Sequence, residues 1–245
     1  MSFSERATEF KTLIELFLKR NGRVRNVINM LFSDVIYPLG LYFSISKLIS
    51  PNELSYFLSG LLVLFTTTYI MNFVSAWLGM DKAYQYYPII RSLGPSILEY
   101  SLALIVVILI TSMPGVIVVA LIIFKTISLL LPALLVVLTS ALVSGFISAF
   151  LVITINEYTV TTVFTGIFSY VISVFPPIFY PSSLLPSPWN LVLNYIYTAK
   201  AADSLRALLQ GDLVAFFSSY YVLLIYLLVL ILAFVTYLNN RNYRL

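Results

Sequence analysis

A chain of 245 residues that is 60% hydrophobic and 10% charged, with a mean hydropathy of +0.98, lacks the charged surface that a soluble domain of this size needs. It contains no cysteine and no histidine, which excludes disulfides, thiolate metal sites, cysteine nucleophiles and histidine general bases. Its net charge of +4 reads as placement relative to a bilayer, not as affinity for nucleic acid.

Residues 1–22 predict an amphipathic helix whose apolar face rests on the inner leaflet or on neighbouring spans. Ser2 and Glu5 have the spacing of a capping box, and Phe10, Leu13, Ile14 and Phe17 recur at helical intervals opposite Glu9, Glu15 and Lys19. Six spans follow, at about residues 27–48, 54–78, 97–124, 128–155, 158–175 and 214–238. The unbroken apolar stretch 97–155 would make a helix of roughly 90 Å, about three bilayer cores long. It must fold back, and Lys125 with Thr126 and Ser128 marks the turn.

Residues 176–210 are apolar, yet they cannot form a straight spanning helix. Five prolines (Pro176, Pro177, Pro181, Pro186 and Pro188) crowd the first part, and each lacks an N–H and clashes with the preceding turn. Ile178, Phe179, Tyr180, Leu184, Leu185 and Trp189 keep the segment at the membrane edge. A re-entrant or surface-lying structure is expected. With the N-terminus inside, ten of the fourteen basic residues fall on the cytoplasmic side. Only Lys47, Lys125, Lys200 and Arg206 fall outside, which places both termini in the cytoplasm and the proline-rich segment on the outer face. The fold class is therefore an all-α integral membrane protein of six transmembrane helices, with an N-terminal cytoplasmic interfacial helix and an outer re-entrant segment between spans five and six.

Several spans carry small or polar residues at helical spacing: Ser33, Tyr37, Gly40 and Ser44 in the first, Thr68, Asn72, Ser75 and Gly79 in the second, and Thr162, Thr165, Gly166, Ser169 and Ser173 in the fifth. Such stripes serve either close helix packing or a polar substrate path. For Ser140, Ser144 and Ser148 of the fourth span, beside Ala141, Gly145 and Ala149, packing is the better reading. Asp34 lies roughly 10 Å into the first span, where a carboxylate is either functional or paired with Arg23, Arg25 or a cytoplasmic-end residue of another span, unless the span starts nearer to it. Lys200, Asp203 and Arg206 are spaced three apart, as in intrahelical pairing.

In order and content these elements resemble the transmembrane subunit of type-2 ATP-binding-cassette permeases. The residues that carry the resemblance are Phe179-Tyr180-Pro181, Leu184-Leu185-Pro186, Asn194-Tyr195-Ile196-Tyr197-Thr198 and Leu205-Arg206-Ala207-Leu208, with Leu93-Gly94-Pro95-Ser96 entering the third span. Tyr195 stands where that family usually has proline. The resemblance implies an exporter of an amphipathic substrate (lipid, glycan, peptide or drug) in the cell membrane. A second permease copy or related chain would complete it, together with a separate nucleotide-binding ATPase that carries the ATP and Mg. It makes residues 79–96 the coupling segment, with Asp81, Lys82, Tyr84, Tyr86, Tyr87, Arg91 and Glu99 at the ATPase contact, although Glu99 suits pairing with Arg91 or the N-terminal arginines better than contact with substrate. It places Tyr37, Asp34, Thr68, Asn72, Thr162, Thr165, Ser169 and Ser173 on the substrate path, and Phe179, Tyr180, Pro181 and Pro186 at an outer gate. No cofactor is expected on this chain, which has no G-x-x-x-x-G-K-[ST] phosphate loop.

The competing classes are weaker. A histidine-dependent protease dyad is impossible, and Asp34 is the one aspartate inside a predicted span, so a two-aspartate mechanism fails. Sparse charge in the spans argues against an ion pore built from charged rings. A non-transporting scaffold or assembly-complex subunit would keep the same topology without a polar path.

Overall fold

The computed structural model describes residues 3–21, 35–86, 89, 96–124, 127–155 and 157–240, and every regular element among them is helical. Helix α1 (Phe3–Asn21) comes first, followed by the short α2 (Tyr37–Ile45). The bundle is built by α3 (Pro51–Ala83), α4 (Ile97–Phe124), α5 (Ile127–Thr154), α6 (Tyr158–Val174) and the last helix, α9 (Leu213–Asn240). Between α6 and α9 lie a 3₁₀ turn (Ser182–Leu184), α7 (Trp189–Asn194) and α8 (Tyr197–Gln210). Among the described residues, four helices are long and apolar enough to cross a membrane, and α6, at 17 residues, is apolar but shorter. Of the first predicted span, only the part from residue 35 onward is described, and Asp34 and Ser33 lie outside the described residues. The end of the bundle where α1 packs is called inner below, and the opposite end outer.

Local sequence explains where the long helices begin. The Ser50 hydroxyl accepts from the Glu53 N–H at 3.4 Å while the Ser50 N–H donates to Glu53 Oε2 at 3.1 Å, so both orphan donors of the first turn are satisfied. Ser96 and Glu99 repeat the arrangement at 3.2 and 2.7 Å at the start of α4. Helices α4 and α5 end and resume at Phe124 and Ile127, around the turn expected at Lys125.

Helix α3 is the hub, packed against α4, α5, α6 and α8. Its 33 residues make it about 50 Å long. The sequence reading ends this span at residue 78 with a polar break, but the helix runs on to Ala83. Gly79 is small because a Cβ there would lie 2.8 Å from the Tyr158 ring, so the glycine serves close packing on α6 rather than a turn. Small residues govern α5 as well. Ser140, Ser144, Ser148, Ala141, Gly145 and Ala149 are all buried, a Cβ on Gly145 would reach Ile105 at 2.9 Å, and Ser148 donates to the Met71 carbonyl at 2.7 Å.

The apolar face of α1 closes the inner end. Leu13 and Phe17 are buried, and the Phe17 ring meets Tyr100 of α4 edge-on at 5.0 Å. The last helix turns Phe216, Leu223 and Phe234 inward, while Val214, Phe217, Tyr221, Leu228 and Leu232 face outward.

Candidate functional site

The proline-rich segment folds into the bundle rather than over it. Pro176 has no N–H to offer the carbonyl four residues earlier, that of Ile172, and the Thr198 hydroxyl donates to that carbonyl instead. Helix α6 therefore ends at Val174 without leaving this acceptor bare in an apolar setting. The chain descends through the 3₁₀ turn, the cis Ser187–Pro188 peptide and α7 to Tyr197. There the tyrosine hydroxyl lies 2.9 Å from Ser144 Oγ, near the middle of α5, and beside Thr67, the middle residue of α3. That depth is about 25 Å below the outer end of α3, at 1.5 Å per residue. Tyr226 of α9 donates to the Tyr195 carbonyl at 2.8 Å. From Tyr197, α8 climbs outward between α3, α5 and α9, a path its buried Ala199, Ala201, Ala202 and Ser204 make narrow enough. It ends at Gly211, whose φ of 74° is cheap only for glycine.

Arg206 fastens this hairpin to α3. Its Nε donates to Ser59 Oγ at 3.2 Å, Nη2 donates to the Pro177 carbonyl at 2.6 Å, and Nη1 pairs with Asp203 at 3.2 Å. The guanidinium also stacks 4.5 Å from the Tyr56 ring centroid, and 6% of the residue is exposed. Next to Ser59, a Cβ on Gly60 would lie 2.5 Å from the Phe179 ring and 2.6 Å from the Ile178 carbonyl. The segment thus crosses α3 at a position with no side chain. Among the residues expected at an outer gate, Phe179 is half-buried, facing Phe57 at 6.4 Å. The Tyr180 hydroxyl donates to the Phe175 carbonyl, and burial pushes that phenol above its ordinary range. Pro181 leads into the 3₁₀ turn, and Pro186 is exposed.

The expected substrate-path residues on α3 and α6 meet one another inside the chain. Thr165, Ser169 and Ser173 are fully buried, Thr162 is half-buried, and α6 packs on α3 along its length. Thr68 is buried with its hydroxyl on the Leu64 carbonyl at 2.7 Å. Asn72 sits against Gly166, where a Cβ would lie 3.5 Å from its Oδ1. Thr165 Oγ1 and Ser173 Oγ have no hydrogen-bond partner among the described residues. Of the path residues on the first span, Tyr37 is exposed, its ring edge-on to Phe65 at 5.3 Å. The outward face of α6 is instead apolar, with Val163, Phe164, Ile167, Tyr170 and Val174.

At the inner end the expected contact residues divide. Asp81 has no exposed surface. It accepts from Arg20 Nη1 at 2.7 Å and from the Tyr100 hydroxyl, while Arg20 lies 4.2 Å from the Trp77 ring centroid. Lys82 donates to the Val152 and Ile155 carbonyls, 3.1 and 3.0 Å away at the end of α5. The two charges thus hold helices together and do not project from the segment. Glu99 caps α4 through Ser96. Tyr84 and Tyr86 are 67% and 52% exposed, on either side of Gln85, which is held at φ 58°. Tyr87 and Arg91 lie outside the described residues.

Sequence reasoning did not single out Arg20, Tyr100, Gly60 or Ser59, and it named Thr198 only within the Asn194–Thr198 cluster, without this role. Only Gly60 carried a local signal, a glycine inside an apolar run, which implies close approach of another backbone. Compared with protein-family models and with curated proteins, the chain matches none.

Proposed function

We propose that the chain is the membrane-spanning permease subunit of an ABC exporter, moving an amphipathic substrate outward. A separate ATPase subunit binds ATP and Mg and supplies the energy, and a second permease chain completes the path. The observation that carries this reading is that one helix, α3, reaches both ends of the machine. Near its outer end it receives the inserted hairpin through Arg206 and Gly60. Just beyond its inner end it presents the exposed aromatic turn of Tyr84 and Tyr86. A push on that turn passes along a single rigid element to the hairpin. The apolar outward face of α6 suits a second copy in a bilayer, with both termini cytoplasmic in the plasma membrane.

The test is purification from native membranes. Co-isolation of a phosphate-loop ATPase whose hydrolysis rises with substrate is the expected result, and Tyr84→Ala with Tyr86→Ala should reduce the co-isolated ATPase several-fold without lowering the amount of folded permease. Undiminished ATPase recovery from the double variant would sink the docking role. The second reading, a non-transporting scaffold, is favoured by the burial of Thr165, Ser169 and Ser173 between α6 and α3, because a packed stripe needs no path. Purified chain that never brings an ATPase with it would support that reading.

A further inference from the structure

Two stripes of small polar residues are buried in this bundle, and they are unequally satisfied. On α5, Ser140 donates to the Val137 carbonyl at 2.9 Å, Ser144 to the Ser140 carbonyl at 2.7 Å and Ser148 to the Met71 carbonyl at 2.7 Å. The seam between α3 and α6 is different. The two helices run antiparallel there, with Gly79 against Tyr158 near the inner end and Asn72 against Gly166, about 10 Å farther out at 1.5 Å per residue. Ser75 shares the face of α3 that carries Asn72 and Gly79, and Thr165 and Ser173 share the buried face of α6 with Thr161 and Ser169. The hydroxyls of Ser75, Thr165 and Ser173 are fully buried and have no partner among the described residues. Thr161, Thr162 and Ser169 turn back onto carbonyls near their own turn of α6, so the helix offers that outlet and Thr165 and Ser173 do not take it. For Ser75 the outlet is the Met71 carbonyl, which already accepts from Ser148. A permanently packed seam has no use for bare hydroxyls, since each costs free energy in an apolar setting.

The seam also leads into a cavity. At its inner end Gly79, Lys82, Val152, Ile155, Tyr158 and Thr161 line a space of about 60 Å³, room for roughly four waters. Lys82 donates to the Val152 and Ile155 carbonyls there, which makes this mouth polar. Thr161 belongs to both cavity and seam, and Thr165 stands one turn beyond it, about 6 Å farther out. Ser75 stands one turn beyond Gly79 on the facing helix. We propose that the α3–α6 seam is an aqueous cleft in its closed state. Water occupies the cavity beside Lys82 and, when α6 moves off α3, advances past Ser75 and Thr165 toward Ser173. The bare hydroxyls are the groups that this water satisfies. The cleft lies within one chain and needs neither an ATPase nor a second permease chain, so it stands or falls separately from the exporter reading.

The chain has no cysteine, so single thiols placed along the seam report water directly. Thr161→Cys, Ser75→Cys, Thr165→Cys and Ser173→Cys are treated in membrane vesicles with a charged methanethiosulfonate, which reacts with a hydrated thiolate. With the reagent on the inner side all four should react, Thr161→Cys fastest and Ser173→Cys slowest. Thr165→Cys should react at least about tenfold faster than Ser140→Cys in the satisfied stripe of α5. In wild type, which no substitution disturbs, amides of residues 161–173 should exchange with deuterated water about tenfold faster than those of residues 140–148. Ser75→Cys and Thr165→Cys reacting no faster than Ser140→Cys, entry from the outer side instead, or α6 amides as protected as those of α5 would each overturn the cleft.

Discussion

At its inner end α3 buries a carboxylate, Asp81, against the guanidinium of Arg20 and the hydroxyl of Tyr100, each from a regular helix. Toward its outer end α3 instead receives a guanidinium, Arg206, whose partners are a hydroxyl, a proline carbonyl and a carboxylate one turn away on its own helix. The inner knot joins two formed helices by charge. The outer knot satisfies backbone that prolines have prevented from forming a helix. Non-helical chain persists at membrane depth only where protein groups replace the missing hydrogen bonds, and Arg206 and Thr198 do that. The inner knot therefore sets where α1 sits, and the outer one decides whether the hairpin can exist at all.

The largest effect should come from an asymmetric break of the inner knot. Arg20→Ala leaves Asp81 buried and uncompensated, which costs about 3–5 kcal/mol. Asp81→Asn lets Arg20, whose side chain is 28% exposed, turn to water and should cost roughly 1–2 kcal/mol. Denaturant unfolding of both variants in one detergent measures the difference, and equal losses would show that Asp81 is not held as described. Next in size is Gly60→Ala. The added Cβ meets the Ile178 carbonyl at 2.6 Å, and overpacking of this kind costs about 1–3 kcal/mol. Its signature should be local: proteolysis within residues 176–196 should rise while α1 stays protected. Thr198→Val should be smallest, about 1 kcal/mol for the lost donor to Ile172, again read by proteolysis of the hairpin. A loss confined to α1 would contradict the assignment.

The bundle was legible where chemistry is local. Apolar run length, the break at Lys125, the helical spacing of Leu13 and Phe17, and the prolines that end α6 are all features of neighbouring residues. The Ser-x-x-Glu boxes at Ser50 and Ser96 were equally readable, and the first of them starts α3 three residues before the predicted span. What sequence could not reveal is which distant groups meet. Asp81 looks like a loop charge until Arg20, sixty-one residues away, covers it. Gly79 looks like a break until Tyr158 packs over it. The polar stripes of α3 and α6 were readable as faces, but their facing each other depends on pairing between helices, which periodicity does not encode. The depth of α8 was equally hidden, because it is set by Tyr197 reaching Ser144.

That depth can be measured without background, since the chain has no cysteine. Ser144→Cys paired with Tyr197→Cys, treated in native membranes with a short bifunctional methanethiosulfonate, should cross-link within the chain to near completion. Ser144→Cys paired with Asp212→Cys, at the outer end of α8, should not. Failure of the first pair to cross-link, with each single cysteine variant folded, would place the hairpin on the membrane surface and contradict its insertion between α3, α5 and α9.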